Sequence, residues 1–104
     1  MYHRFEENKY PSTNIKINDF KSHINEIRNS DLKFITLEEF KESFNKNNSS
    51  RKILLTIDDA FSSFYKNAWP ILKREKIPFI IFVNTETVGS NGYMNWEQIQ
   101  SISK

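Results

Sequence analysis

Cysteine is absent from the 104 residues, and glycine occurs only at Gly89 and Gly92. The first absence excludes disulfides, thiol catalysis, iron–sulfur clusters and cysteine-held zinc. It leaves the compartment open, because exported proteins need not carry cysteine. The second excludes the glycine-rich phosphate cradles of P-loop and dinucleotide-binding proteins. Long apolar runs are also missing. No stretch approaches the roughly 18 residues that cross a bilayer, and MYHRFEENKY at positions 1–10 lacks the apolar stretch of a secretory signal. An excess of one charge is missing as well: Lys+Arg 15 against Asp+Glu 13 leaves +2, spread along the chain. A nucleic-acid binder carries a dense basic patch, so no nucleic-acid partner is expected. Histidine is limited to His3 and His23.

What is present is enough to fold. Phe, Ile, Leu and Val together make 29 of 104 residues, above the roughly 20% below which chains stay disordered. A mean hydropathy of −0.66 marks the apolar content as lean. The length allows one domain at most, and no internal repeat is visible.

Periodicity then orders the chain. Met1–Phe5 reads as a strand end and Glu6–Asn14 as a loop. Asn18 is placed to cap a helix from Asp19, with Phe20, Ile24 and Ile27 on one face. Lys33–Ile35 is a short strand candidate. Thr36–Glu39 has the form of a capping box, and Leu37, Phe40 and Phe44 continue an apolar stripe to about Asn45. NKNNSS at 45–50 reads as loop. KILLTI at 52–57 and FIIFV at 79–83 are apolar runs of strand length, as in strands buried on both faces of a parallel sheet. Ser62–Glu75 is helical in pattern, with a kink expected at Pro70. Asn95 and Gln98 form a second capping box ahead of a short final helix. Strands and helices alternate, which predicts an α/β fold with right-handed crossovers and parallel strands.

The sharpest chemical feature is Thr56-Ile57-Asp58-Asp59-Ala60-Phe61. Two acids stand at the carboxyl end of an apolar strand, where α/β folds bind ligands. Neighbouring carboxylates repel, so both ionise readily only beside a cation. One can hold a divalent metal while the other takes a proton from water. From spacing alone, a helix-capping role for either acid explains the pair equally well.

At this point the chain resembles the polysaccharide deacetylases (the NodB homology domain). Their first motif is T-F-D-D-G, and Thr56–Ala60 is T-I-D-D-A. The pieces YHRF at Tyr2–Phe5, YPSTNI at Tyr10–Ile15, F-x-x-H-I-x-x-I at Phe20–Ile27, and the downstream W-P-I-L-K, I-P-F-I-I-F-V and N-W-E-Q-I follow the order common in that family. The resemblance covers almost the whole chain. It implies a distorted (β/α) barrel, and hydrolysis of N-acetyl groups on an amino-sugar polysaccharide. By position Asp58 is then the catalytic base and Asp59 a ligand of a divalent metal, commonly zinc. His3 is a candidate substrate-binding residue, with a local hydrogen bond at a strand end as the simpler role. Action on an envelope or extracellular polymer is the family's habit.

The chain departs from the pattern in two mild ways, Ala60 for glycine and Ile57 for an aromatic. A third departure is larger. The family's second motif, H-[ST]-x-x-[HD], supplies two further metal ligands, and this chain has no His or Asp after Asp59. The expectation is therefore a partial (β/α) barrel, residues 1–104 being the amino-terminal part of one deacetylase-like domain and inactive alone. A non-catalytic or degenerate deacetylase-like chain is the alternative. A receiver-like domain shares the acid pair but requires a later phospho-accepting aspartate that is absent. His23 is read as a packing or boundary residue. Trp69 and Trp96 are read as core or helix-packing residues, while Phe61 and Tyr65 could stack on sugars.

Overall fold

The structure is a computed structural model and describes residues 1–45 and 52–103. Among the described residues six short strands, β1–β2 and β4–β5 consecutive, are interspersed with helices: β1 (Arg4–Phe5), β2 (Asn14–Ile15), α1 (Ile17–Arg28), β3 (Lys33–Phe34), α2 (Leu37–Asn45), β4 (Lys52–Ile53), β5 (Thr56–Asp58), α3 (Trp69–Glu75), β6 (Ile80–Phe82) and α4 (Trp96–Ile102). The named strands pair in parallel, β1 with β2, β3 with β4 and β5 with β6. Tyr2 adds a parallel bridge to Ile57 on the other side of β5. No helix among the described residues is long and apolar enough to cross a membrane.

Several expectations meet corrections here. KILLTI is two strands, because Ile53 and Leu55 serve different neighbours. The Ile53 carbonyl accepts from Ile35, whereas the Leu55 carbonyl accepts from Ile80. The β2 strand lies partly inside the segment read as loop. The first helix starts at Ile17, earlier than Asn18 would cap it. Its first free amide is met from a distance: Glu6 Oε1 accepts from Ile17 N at 2.6 Å, and Glu6 reaches there from a left-handed backbone, φ 61°.

Both capping boxes form. Glu39 N donates to Thr36 Oγ1 at 3.1 Å and Thr36 N to Glu39 Oε1 at 3.3 Å. Gln98 N donates to Asn95 Oδ1 at 2.8 Å and Asn95 N to Gln98 Oε1 at 2.9 Å. Leu37 and Phe40 keep 37% and 36% of their surface exposed. Phe44, the last member of that stripe, is helical, and the loop at 46–50 lies outside the described residues.

A five-residue π-helical segment, Phe64–Ala68, precedes α3. It is the structural answer to Pro70. Proline has no N–H and its ring collides with the carbonyl four residues back; wider winding just before it relieves both, and Trp69 N reaches the Phe64 carbonyl instead. At the other end Lys76 takes a left-handed conformation, φ 55°, and Ile77 N donates to the Leu72 carbonyl at 3.0 Å. Arg28 of α1 then clamps this end, donating to the Glu75 carboxylate at 2.9 Å and its carbonyl at 2.8 Å.

The core is a chain of aromatics among aliphatics. Phe5, Phe20, Ile57, Phe64 and Met94 are fully buried. Rings meet edge-on or tilted, as their quadrupoles favour: Phe5 on Phe20 at 5.0 Å, Phe5 on Phe64 at 5.8 Å and Phe64 on Phe79 at 5.4 Å between centroids. Truncating Phe64 to alanine would cost about 3–5 kcal/mol. Trp69 packs on Phe79 as expected, but Trp96 does not pack inward; it is 58% exposed. It occupies the first turn of a seven-residue helix whose inward face is set by Ile102.

Candidate active site

The acid pair is held by its backbone. Asp58 N donates to the Tyr2 carbonyl at 2.8 Å, and Asp59 N donates to the Phe82 carbonyl at 2.9 Å. The turn is thus pinned between the amino-terminal segment and β6. Side chains alternate along a strand. Ile57 goes into the core, fully buried, and Asp58 takes the opposite side, partly exposed. Because Tyr2 pairs with Ile57, the next residue, His3, stands beside Asp58. His3 Nε2 lies 3.4 Å from Asp58 Oδ2. His3 also lines a shallow cavity of about 240 Å³ with Ser12, Thr13 and Asn14.

After Asp58 the chain leaves the β region. Asp59 and Ala60 both have positive φ, 72° and 53°. Aspartate tolerates this conformation; alanine pays steric strain of about 1–2 kcal/mol. The turn persists because its surroundings hold it. Met94 N donates to the Ala60 carbonyl and Ser62 N to the Gly92 carbonyl, each at 2.9 Å. The loop after β6 is thereby stitched to the acid turn. The Asp59 carboxylate is exposed, with no hydrogen-bond or ion-pair partner among the described residues.

Three further groups frame this site; of these only the Ser63–Glu7 pair went unmarked by any sequence pattern. The Arg4 guanidinium lies over both the Tyr10 and the Phe61 rings, 3.8 Å from each centroid. It also donates to Glu7 at 3.2 and 3.3 Å. The buried Ser63 hydroxyl donates to Glu7 Oε2 at 2.6 Å and accepts from Phe5 N at 3.1 Å. The Tyr2 hydroxyl meets His23 Nδ1 at 2.7 Å, and burial pushes the Tyr2 phenol above its ordinary value. His23 therefore both hydrogen-bonds Tyr2 and stacks on its ring, with centroids 6.1 Å apart. Phe61, a candidate sugar platform, is covered by Arg4 and Tyr93 and only 5% exposed.

Among the described residues no group of three or more His, Cys, Asp or Glu stands close enough to hold a metal ion. A catalytic zinc takes three protein ligands, so these residues do not complete such a site. A cavity of about 620 Å³ elsewhere is lined by apolar side chains such as Leu54, Trp69 and Ile80. Neither acid nor His3 reaches it.

A family model described as polysaccharide deacetylase matches residues 45–104, more than half of the sequence and including both acids. The chain belongs to the polysaccharide deacetylase family. A solved structure of IcaB from Ammonifex degensii is similar at 30% identity and a TM-score of 0.85, covering 98% of this chain and 46% of that one. The Streptococcus pyogenes deacetylase PplD, solved in complex with acetate, gives 21% and 0.83, covering 99% and 50%. A de-N-acetylase from Aggregatibacter actinomycetemcomitans gives 18% and 0.84, covering 98% and 48%. The last two speak to the fold. No curated protein matches the sequence. The chain spans about half the length of these solved relatives. Its architecture is a partial (β/α) barrel of the polysaccharide deacetylase type, with parallel strands that do not close among the described residues. The receiver-like reading finds no support in these likenesses.

Proposed function

We propose that residues 1–104 are the amino-terminal part of one domain of a metal-dependent hydrolase that removes N-acetyl groups from an amino-sugar polysaccharide. The observation that carries this is the placement of Asp58 and Asp59, in a chain of this family, at the carboxyl end of β5 with His3 against Asp58. The acetate held by the similar PplD structure is what such a reaction releases.

Asp58 takes the proton of the attacking water. The water oxygen joins the acetyl carbon, the carbon–nitrogen bond breaks, and the proton ends on the departing amine. His3, 3.4 Å away, holds the Asp58 carboxylate in its orientation. Asp59 offers an unpartnered carboxylate as one ligand of a divalent ion, zinc by the family's habit; the other ligands come from a carboxyl-terminal part of the domain. Such an ion, when bound, supplies Lewis-acid polarisation of the acetamide carbonyl.

The test is acetate release from a β-linked N-acetylglucosamine tetrasaccharide by the complete domain, with zinc supplied. Asp58→Asn should lower the rate about 10²- to 10⁴-fold with the fold intact. Residues 1–104 alone should release none, since their described residues hold no three-ligand site. Full activity in Asp58→Asn, or a complete domain inert on N-acetylated polymers, would leave the non-catalytic reading standing in its place.

A further inference from the structure

A polar, aromatic-edged cavity of about 520 Å³ lies beside the acid turn, formed by the loop after β1 and the loop after β6. That volume sits within the roughly 300–1,000 Å³ of small-molecule pockets. Tyr10 and Tyr93 contribute rings, Asn8 and Asn91 contribute amides, and the charged groups are Arg4, Lys9 and Glu7. Both loops follow the carboxyl ends of parallel strands, so the cavity opens on the side of the sheet that carries Asp58 and Asp59.

The two walls are tied to the acid turn by direct contacts. Phe61, two residues past Asp59, packs on Tyr93 at 4.9 Å between centroids and forms an antiparallel bridge with it. The Arg4 guanidinium covers Phe61 and Tyr10 at 3.8 Å each. Tyr10, Arg4, Phe61 and Tyr93 thus make one stacked unit connecting the loop after β1, the acid turn and the loop after β6. Tyr10 still exposes 40% of its surface, with the Arg4 guanidinium 3.8 Å and the Lys9 ammonium 5.8 Å from its ring centroid.

The chemistry of the lining selects among ligands. Arg4 is already neutralised by both oxygens of Glu7, and the other cation lining the cavity, Lys9, lies over the Tyr10 ring at 5.8 Å, so an anion finds little charge there. A neutral ring with an apolar face and many hydroxyls finds an aromatic plane and two amides. We propose that this cavity is a binding subsite for a neutral pyranose unit of the polymer, flanking the unit that reacts at Asp58. The inference deepens the proposed function and rests on the substrate being an amino-sugar chain.

The test uses Asp58→Asn protein, which keeps the substrate intact, titrated with β-linked N-acetylglucosamine tetrasaccharide and followed by ligand-observed saturation-transfer NMR. Adding Tyr10→Ala or Asn91→Ala should weaken tetrasaccharide binding about tenfold. Affinity for the N-acetylglucosamine monosaccharide should not change. Both side chains are exposed, so either variant serves if the other misfolds. Unchanged tetrasaccharide affinity in both variants, or no binding by Asp58→Asn protein, overturns the subsite. Binding that depends on Tyr10 in a domain that never releases acetate would remove the catalytic reading and keep the subsite. Acetate release indifferent to Tyr10 and Asn91 would do the reverse.

Discussion

His3 Nε2 stands 3.4 Å from Asp58 Oδ2 because the residues before them, Tyr2 and Ile57, are paired across neighbouring strands. Strand register, set by backbone hydrogen bonds, delivers one side chain to the other. If this contact orients the carboxylate, His3→Ala lowers kcat for acetate release about 10- to 100-fold, the usual scale for such support. KM should hardly move. His3→Gln, which can still donate, should recover part of the loss, which a merely structural role would not predict.

Asp59 combines a φ of 72° with an unpartnered carboxylate. The neighbouring Ala60 holds the same left-handed region at φ 53° without aspartate's tolerance for it. Ala60→Gly should therefore raise stability by roughly 0.5–1 kcal/mol in urea unfolding. Asp59→Asn should be near neutral for stability, since asparagine also tolerates the left-handed region, and should lose zinc-dependent acetate release. A destabilised Ala60→Gly would show that the turn is not strained.

Ser63 is the buried hydroxyl that serves Phe5 N and Glu7 at once. Ser63→Ala leaves the Phe5 amide without its acceptor and Glu7 with one donor fewer. A loss of about 1–3 kcal/mol is expected by denaturant unfolding. A loss near zero would mean that water replaces the hydroxyl.

Tyr2 supplies a pH dependence. Burial raises its phenol in the folded state above the ordinary value of about 10. A raised folded value means that its stabilisation is fully present below about pH 10. It is lost as pH climbs from there through the folded value. Thermal unfolding at pH 8 to 11 should show a steeper alkaline decline for the wild type than for Tyr2→Phe. Equal slopes would remove Tyr2 as the source.

Much of the local structure was legible from residue order. The two capping boxes, the Phe20–Ile24 helix face and the acid pair at a strand end need only contacts a few residues apart, and each formed where its pattern indicated. The DD turn also carried the family likeness. Other features were hidden because they join distant segments. Glu6 caps α1 from eleven residues upstream, a reach no spacing rule covers. KILLTI reads as one strand, and splits only because Ile53 and Leu55 face different partners.

Side-chain chemistry near the site divides the same way. Composition and short spacing settle which groups exist: two adjacent acids, two histidines, no thiol. Which of them meet depends on register and on loops that fold back over the strand ends. Arg4 among Tyr10, Phe61 and Glu7, and Ser63 between Phe5 and Glu7, are contacts across as many as 58 positions. Chain closure over such distances is governed by packing of the whole domain, and pairwise patterns along the sequence carry no record of it.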